Sequence, residues 1–275
     1  MKNPPPRGYR AKEILTLLKD HGPLTAKAIS LMVEPPMRNK KIYEALLRLK
    51  NRGLVNVRSE RIIARGCSIY QLQQDLRARE NTSKIIGVHP ESLQQPYFRY
   101  REILHNDNCA VVAHNLKKQY PDAVLVRDFE FERSDIAKKI MLSEENDRDV
   151  KPDILLIFYN SNKKNITSIA FEIEKSRKDN RRLNAKLKKY ASQSRVDGVV
   201  YICDENRIKE ALLDSFINKV SPRAVRVKHY INYFLMFAEN KNIQISPNDN
   251  LYDLNRKTVS LEKWISFLQN MKTSA

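Results

Sequence analysis

Glycine is scarce in this 275-residue chain, six residues in all, and no low-complexity tract occurs. A collagen-like repeat is therefore excluded, and a hydrophobic content of 41% is too high for general disorder. The three cysteines, Cys67, Cys109 and Cys203, are odd in number and contain no C-x-x-C spacing. They suggest neither a disulfide framework nor a zinc finger, and a reducing cytoplasm is the expected compartment. Long apolar runs are missing as well. None exceeds the stretch from Ile154 to Tyr159, far short of the ~20 residues that cross a bilayer. The opening MKNPPPRGYR has no apolar core of the kind that marks an export signal. A soluble protein without a membrane span is expected.

Positive charge is abundant: 50 Lys and Arg against 32 Asp and Glu leave a formal +18, which points to a polyanionic partner. The excess is uneven. Residues 1–80 carry 17 basic and 7 acidic side chains, residues 81–160 carry 11 and 13, residues 161–200 carry 11 and 4, and residues 201–275 carry 11 and 8. An acidic segment between two basic ones suits a metal-dependent nuclease, whose carboxylates hold a cation while Lys and Arg hold phosphates. Solvated surface charge that clusters without function is the alternative.

At the N-terminus, Ile14, Leu15, Leu17 and Leu18 recur at helical spacing, and His21-Gly22-Pro23 ends a helix over about 9–20. Thr25 is placed to cap a second helix holding Ala28, Ile29 and Met32, stopped by Pro35-Pro36. A third spans about 39–51, with Ile42, Leu46 and Leu49 on one stripe and Gly53 as its stop. Two alternating strands follow, Val55 to Arg58 and Ser68 to Leu72. The pattern resembles a winged helix-turn-helix. Arg38, Asn39, Lys41, Glu44 and Arg48 would then face a major groove, and Arg58, Arg61 and Arg65 of the wing would reach phosphates or a minor groove. A helical module that binds a protein partner or itself is the alternative. Residues 1–78 are expected as the DNA-binding domain, 79–98 as a linker, and 99–275 as a second domain.

That second domain reads as helix 101–120, strands 123–131, 153–159 and 166–174, a basic helix near 180–194, strand 199–203, helix 207–218 and strand 225–233. The order implies an α/β (α+β) sandwich with a mixed sheet flanked by helices. Lys151-Pro152-Asp153 opens one strand, and Phe171-Glu172-Ile173-Glu174-Lys175 closes the next. Alternation puts Glu172 and Glu174 on one face, and antiparallel pairing brings Asp153 within reach of both. Three converging carboxylates repel one another unless a divalent cation neutralises them, and all-oxygen ligands favour Mg²⁺ or Mn²⁺.

These residues resemble the PD-(D/E)XK motif of the restriction-endonuclease superfamily, with Glu174 where the motif usually has lysine. Lys186 or Lys189 in the next helix is then either a displaced catalytic lysine or a grip for phosphate. Lys175 to Arg195 holds nine basic residues and one acid, so Lys178, Arg181 and Arg182 read as a DNA-backbone track or as a solvated helix face. His105, followed by Asn106-Asp107-Asn108, is a metal-site neighbour, a proton carrier or a structural histidine. Glu130 and Glu132 share an expected strand face and either approach the site or lie on the surface. Tyr190 reads as core packing before it reads as a covalent nucleophile.

A winged helix followed by Pro152-Asp153 and Phe171-Glu172-Ile173-Glu174-Lys175-Ser176, leading into a Lys/Arg/Tyr-rich helix, looks like the MobC-type (MOBC) relaxases of mobilizable plasmids. The resemblance covers the chain to about residue 235. It implies site-specific nicking of one strand at a plasmid origin of transfer, with relaxosome accessory and coupling proteins as partners and self-association open. As in that family, no three-histidine metal motif occurs. The alternatives are a restriction or transposon-end endonuclease that cuts both strands, and a non-catalytic DNA-binding regulator. The tail after 240, with Trp264 and Phe267 in a helical pattern, is expected to pack on the second domain or to mediate association.

Overall fold

The computed structural model describes residues 9–35, 38–60, 67–95, 102–141, 151–159, 166–174, 186, 190, 195–219, 235–239, 245–253 and 255–273. The chain divides into two units, Met1–Val111 and Val112–Ala275. Together they make a mixed α and β protein whose larger sheet combines parallel and antiparallel strands and is flanked by helices.

The first unit runs α1 (Tyr9–His21), β1 (Leu24–Thr25), α2 (Ala26–Met32), α3 (Asn39–Asn51), β2 (Val55–Glu60), β3 (Cys67–Leu72) and α4 (Leu76–Ile86), then a 3-10 turn at Pro90–Leu93 and the start of α5 (Ile103–Gln119). The apolar stripes read from the sequence are the core: Ile14, Leu15 and Leu18 of α1, Ile29 of α2, and Ile42, Leu46 and Leu49 of α3 are buried together. Thr25 caps α2 through the Ala28 N–H at 3.3 Å. Gly53, at φ 67, lets the chain leave α3 in the left-handed region, with its N–H on Lys50 O at 2.8 Å. The three strands pair antiparallel in the order β1-β3-β2, with Val55 opposite Leu72 and Glu60 opposite Cys67.

The stretch expected as a linker is in part helical. Asp75 accepts the Ala78 N–H at 2.9 Å, Gly87 closes α4 in the left-handed region, and Ala78, Thr82 and Ile86 form its buried stripe. Good caps sustain a helix whose polar composition hides its periodicity. The division between the units also falls later than expected, at Val111 inside α5.

The second unit contains β4 (Val124–Arg127), α6 (Asp135–Met141), β5 (Ile154–Tyr159), β6 (Ile166–Glu174), β7 (Gly198–Cys203), α7 (Asn206–Lys219), β8 (Leu235–Glu239), β9 (Asn250–Tyr252), β10 (Thr258–Ser260) and α8 (Leu261–Thr273). Its seven-stranded sheet has the order β10-β9-β8-β7-β6-β5-β4. The β6-β7 and β7-β8 pairs are parallel, and the other pairs are antiparallel. β7 is buried along its whole length, as a central strand covered on both faces must be. A Cβ added to Gly198 would lie 2.5 Å from the Trp264 ring, so α8 seats its tryptophan directly on the β7 backbone. Of the two roles expected for the tail, packing on the second domain is the one this contact shows.

Two expectations are corrected here. The strand expected to Phe131 ends at Arg127 and gives way to a 3-10 helix, Asp128–Arg133. Glu130 therefore shares no strand face with Glu132: it turns back to accept the Arg127 N–H at 2.9 Å, while Glu132 pairs with Lys151. The strand expected over 225–233 lies outside the described residues, as does most of the basic helix of 180–194. β8, β9 and β10 were not anticipated.

Candidate functional site

β5 and β6 run antiparallel with Ile154 opposite Phe171, and one further step of that register places Asp153 beside Glu172. The side chain agrees: Asp153 Oδ2 accepts the backbone N–H of Ile173, the residue between the two glutamates, at 2.7 Å. Glu172 and Glu174 both lie within the protein, at 0% and 2% exposure. On the other side, β7 runs parallel to β6 and sets Tyr201 opposite Glu172. Tyr201 is buried and stacks on Phe237 with ring centroids 5.9 Å apart.

Lys186 and Tyr190, four residues apart in sequence, are both helical. Each donates to Glu172: Lys186 Nζ to Oε2 and Tyr190 Oη to Oε1. Both oxygens of a buried carboxylate are thus engaged, one of them by a cation.

Electrostatics follow from that crowding. Burial, reinforced by nearby Asp153 and opposed by Lys186, pushes Glu172 from its ordinary 4.5 to about 7. For Lys186, burial disfavours the charge, but Glu172, Asp153 and Glu174 together hold its pKa above the ordinary value. Burial, with Glu172 and Asp153 nearby, pushes Tyr190 and Tyr201 well above 10, and Glu174 adds to the rise at Tyr201. Both phenols stay protonated, so Tyr190 serves as a hydrogen-bond donor. Among the described residues, Asp153, Glu172 and Glu174 all act on the Lys186 ammonium.

The structure therefore brings together Asp153, Glu172, Glu174 and Lys186 of the expected site residues. Lys189, Lys178, Arg181 and Arg182 lie outside the described residues, as do Arg61 and Arg65. In the first unit Arg38 precedes α3, Asn39 opens it, and Arg38, Lys41, Arg48 and Arg58 are exposed. His105 sits half-buried on α5 with Nε2 3.5 Å from Cys109 Sγ. Its polar neighbours hold the first unit together: Asp107 accepts both the N–H and the hydroxyl of Thr25, at 3.0 and 2.5 Å, and Asn106 donates to Pro23 O at 2.8 Å.

No family model, curated protein or solved structure matches the chain. Sequence reasoning missed the bond from Tyr190 to Glu172 and the closeness of Tyr201 to the acids. The four-residue spacing of Tyr190 from Lys186 was the available signal for the first. The second depends on the parallel pairing of β6 with β7, which no local pattern announces.

Proposed function

We propose that this protein is a metal-dependent DNA endonuclease acting in the cytoplasm. The observation that carries the reading is the convergence of Asp153, Glu172 and Glu174 on Lys186 at the ends of β5 and β6. Asp153, Glu172 and Glu174 gather carboxylate oxygens around Lys186, and such oxygen donors suit Mg²⁺ or Mn²⁺. Asp153, Glu172 and Glu174 would hold the ion. Among the described residues, these three do not each bring an oxygen within 4.8 Å of the others, so a shared ion requires the Glu172–Lys186 pair to open. When bound, such an ion lowers the pKa of a water and offsets charge on phosphate. Lys186, once released from Glu172, supplies a cation for the scissile phosphate or orients the attacking water. Tyr190 holds Glu172 in place from beneath.

For the first unit, the order helix, strand, helix, helix, strand, strand supports a winged helix, with α3 as the reading helix and the paired β2 and β3 as the strands of the wing. The basic run from Lys175 to Arg195 directly follows the acids in sequence and supplies cations for a DNA backbone. The finer reading, a relaxase nicking one strand at a plasmid origin of transfer with relaxosome and coupling proteins as partners, rests on the resemblance of the motifs.

Supercoiled plasmid carrying a transfer origin, incubated with and without Mg²⁺, tests both levels. Wild type is expected to give Mg²⁺-dependent nicked circles, and Asp153→Ala to abolish cleavage while sparing duplex binding. Linear product would favour a double-strand cutter. Binding without cleavage under every metal condition would defeat the enzyme reading and leave a DNA-binding regulator.

A further inference from the structure

The outward face of α3 carries two large apolar side chains that its core stripe does not use. Ile42, Leu46 and Leu49 are buried, whereas Tyr43 and Leu47, one turn apart, are 50% and 56% exposed. Lys40 and Glu44 share their stripe, Lys41 and Arg48 flank it on one side and Lys50 on the other, all exposed. Among the described residues, Lys40, Lys41, Arg48 and Lys50 make no ion pair.

Three lysines and Arg48 against Glu44 alone leave the surroundings of Tyr43 and Leu47 positively charged, and lysine is depleted at protein interfaces relative to the rest of the surface. The cations match a polyanion instead. Cations on a helix laid in a major groove meet phosphates; the apolar side chains between them meet base edges, where the hydrophobic group on offer is the thymine C5-methyl. We infer that Tyr43 and Leu47 form a thymine-methyl reading pair, so that the first unit binds duplex DNA with a preference for thymine over uracil. The inference rests on the DNA-binding reading given above and adds the residues and base chemistry that confer preference.

The test removes the methyl group from the ligand and leaves the protein unchanged. Full-length protein is titrated into labelled duplexes of alternating dA and dT, or of alternating dA and dU, of equal length, with binding read by fluorescence anisotropy. Each methyl taken out of water is worth about four-fold in affinity, so wild type is expected to bind the thymine duplex about four- to fifteen-fold more tightly. The double variant Tyr43→Ser/Leu47→Ser, its fold checked by circular dichroism, is expected to lose that preference and to bind the two duplexes within two-fold of each other.

Equal affinity of wild type for the two duplexes overturns the inference and leaves DNA binding intact. A variant that keeps the preference also overturns it, because the uracil effect would then come from DNA shape. Failure of wild type to bind either duplex defeats the DNA-binding reading itself. Loss of a wild-type dimer in the variant, seen by sedimentation, assigns the pair to self-association and overturns the inference.

Discussion

Glu172→Gln keeps the shape of the buried side chain and removes its charge, which isolates the electrostatic cost of the site. In the folded protein the carboxyl is raised from 4.5 to about 7, so the folded state keeps a proton that the unfolded chain has already released. A carboxyl shifted upward contributes no penalty below its unfolded pKa, and stability is lost as pH rises from there through the folded value. The window is therefore about pH 4.5 to 7, and the size is about 3 kcal/mol. Glutamine still offers one oxygen to Lys186, and the Tyr190 hydroxyl can turn to accept from the amide. Any cost of the swap itself is then constant with pH. The variant is expected to gain about 3 kcal/mol on wild type between pH 4.5 and pH 8, equivalent to roughly 6–12 °C in Tm for a domain of this size. Unfolding followed by circular dichroism across that range in EDTA measures it. Millimolar Mg²⁺ is expected to narrow the gap at pH 8, because an ion bound to the ionised cluster stabilises only the wild-type charge state. Parallel stability curves for the two proteins across the whole range would refute the reasoning.

Three further outcomes are expected. Lys186→Met leaves Glu172 buried without its cation, which costs about 3–5 kcal/mol at pH 8 and much less at pH 5, where the carboxyl holds its own proton; urea unfolding at the two pH values checks this. Gly198→Ala drives a Cβ to 2.5 Å from the Trp264 ring and is expected to cost about 1–3 kcal/mol, with part regained when Trp264 is shortened to Phe in the same chain. Asp107→Ala strips Thr25 of two buried hydrogen bonds and is expected to lower the stability of the first unit by about 1–3 kcal/mol, measured by thermal unfolding, while Mg²⁺-dependent plasmid cleavage is retained below the new transition.

The acidic half of the site was legible because strand geometry is local. Alternation alone put Glu172 and Glu174 on one face, and antiparallel pairing of neighbouring strands put Asp153 beside them; the hydrogen bond from Ile173 to Asp153 agrees. The three helices of the first unit were legible because their apolar stripes repeat at helical spacing. Beyond Arg127 the reading failed, since Phe129 and Phe131 continue a strand-like alternation through residues that form a 3-10 helix. α4 was hidden for the opposite reason: Asn81, Thr82 and Ser83 break any apolar pattern, and only the caps Asp75 and Gly87 marked its ends. β9 and β10, three residues each, are too short to show alternation. The contact of Lys186 with Glu172 is tertiary and carries no local trace.

Leu155, Ala170, Val199, Tyr190 and Tyr201 belong to one buried cluster, and Asp153, Glu172 and Glu174 continue the same pleat face beyond it. One face of β5 and β6 is thus apolar through its middle and acidic at its end. A one-residue slip in register would turn both sets to the opposite face together, so the apolar majority fixes where the acids meet. Tyr190 makes the link direct, with its ring in the core and its hydroxyl on Glu172. The penalty of crowding three carboxylates is therefore borne by packing that does not depend on them. Neutralising an acid leaves the apolar register standing, and for that reason Asp153→Ala and Glu172→Gln can separate the chemistry of the cluster from the stability of the sheet that assembles it.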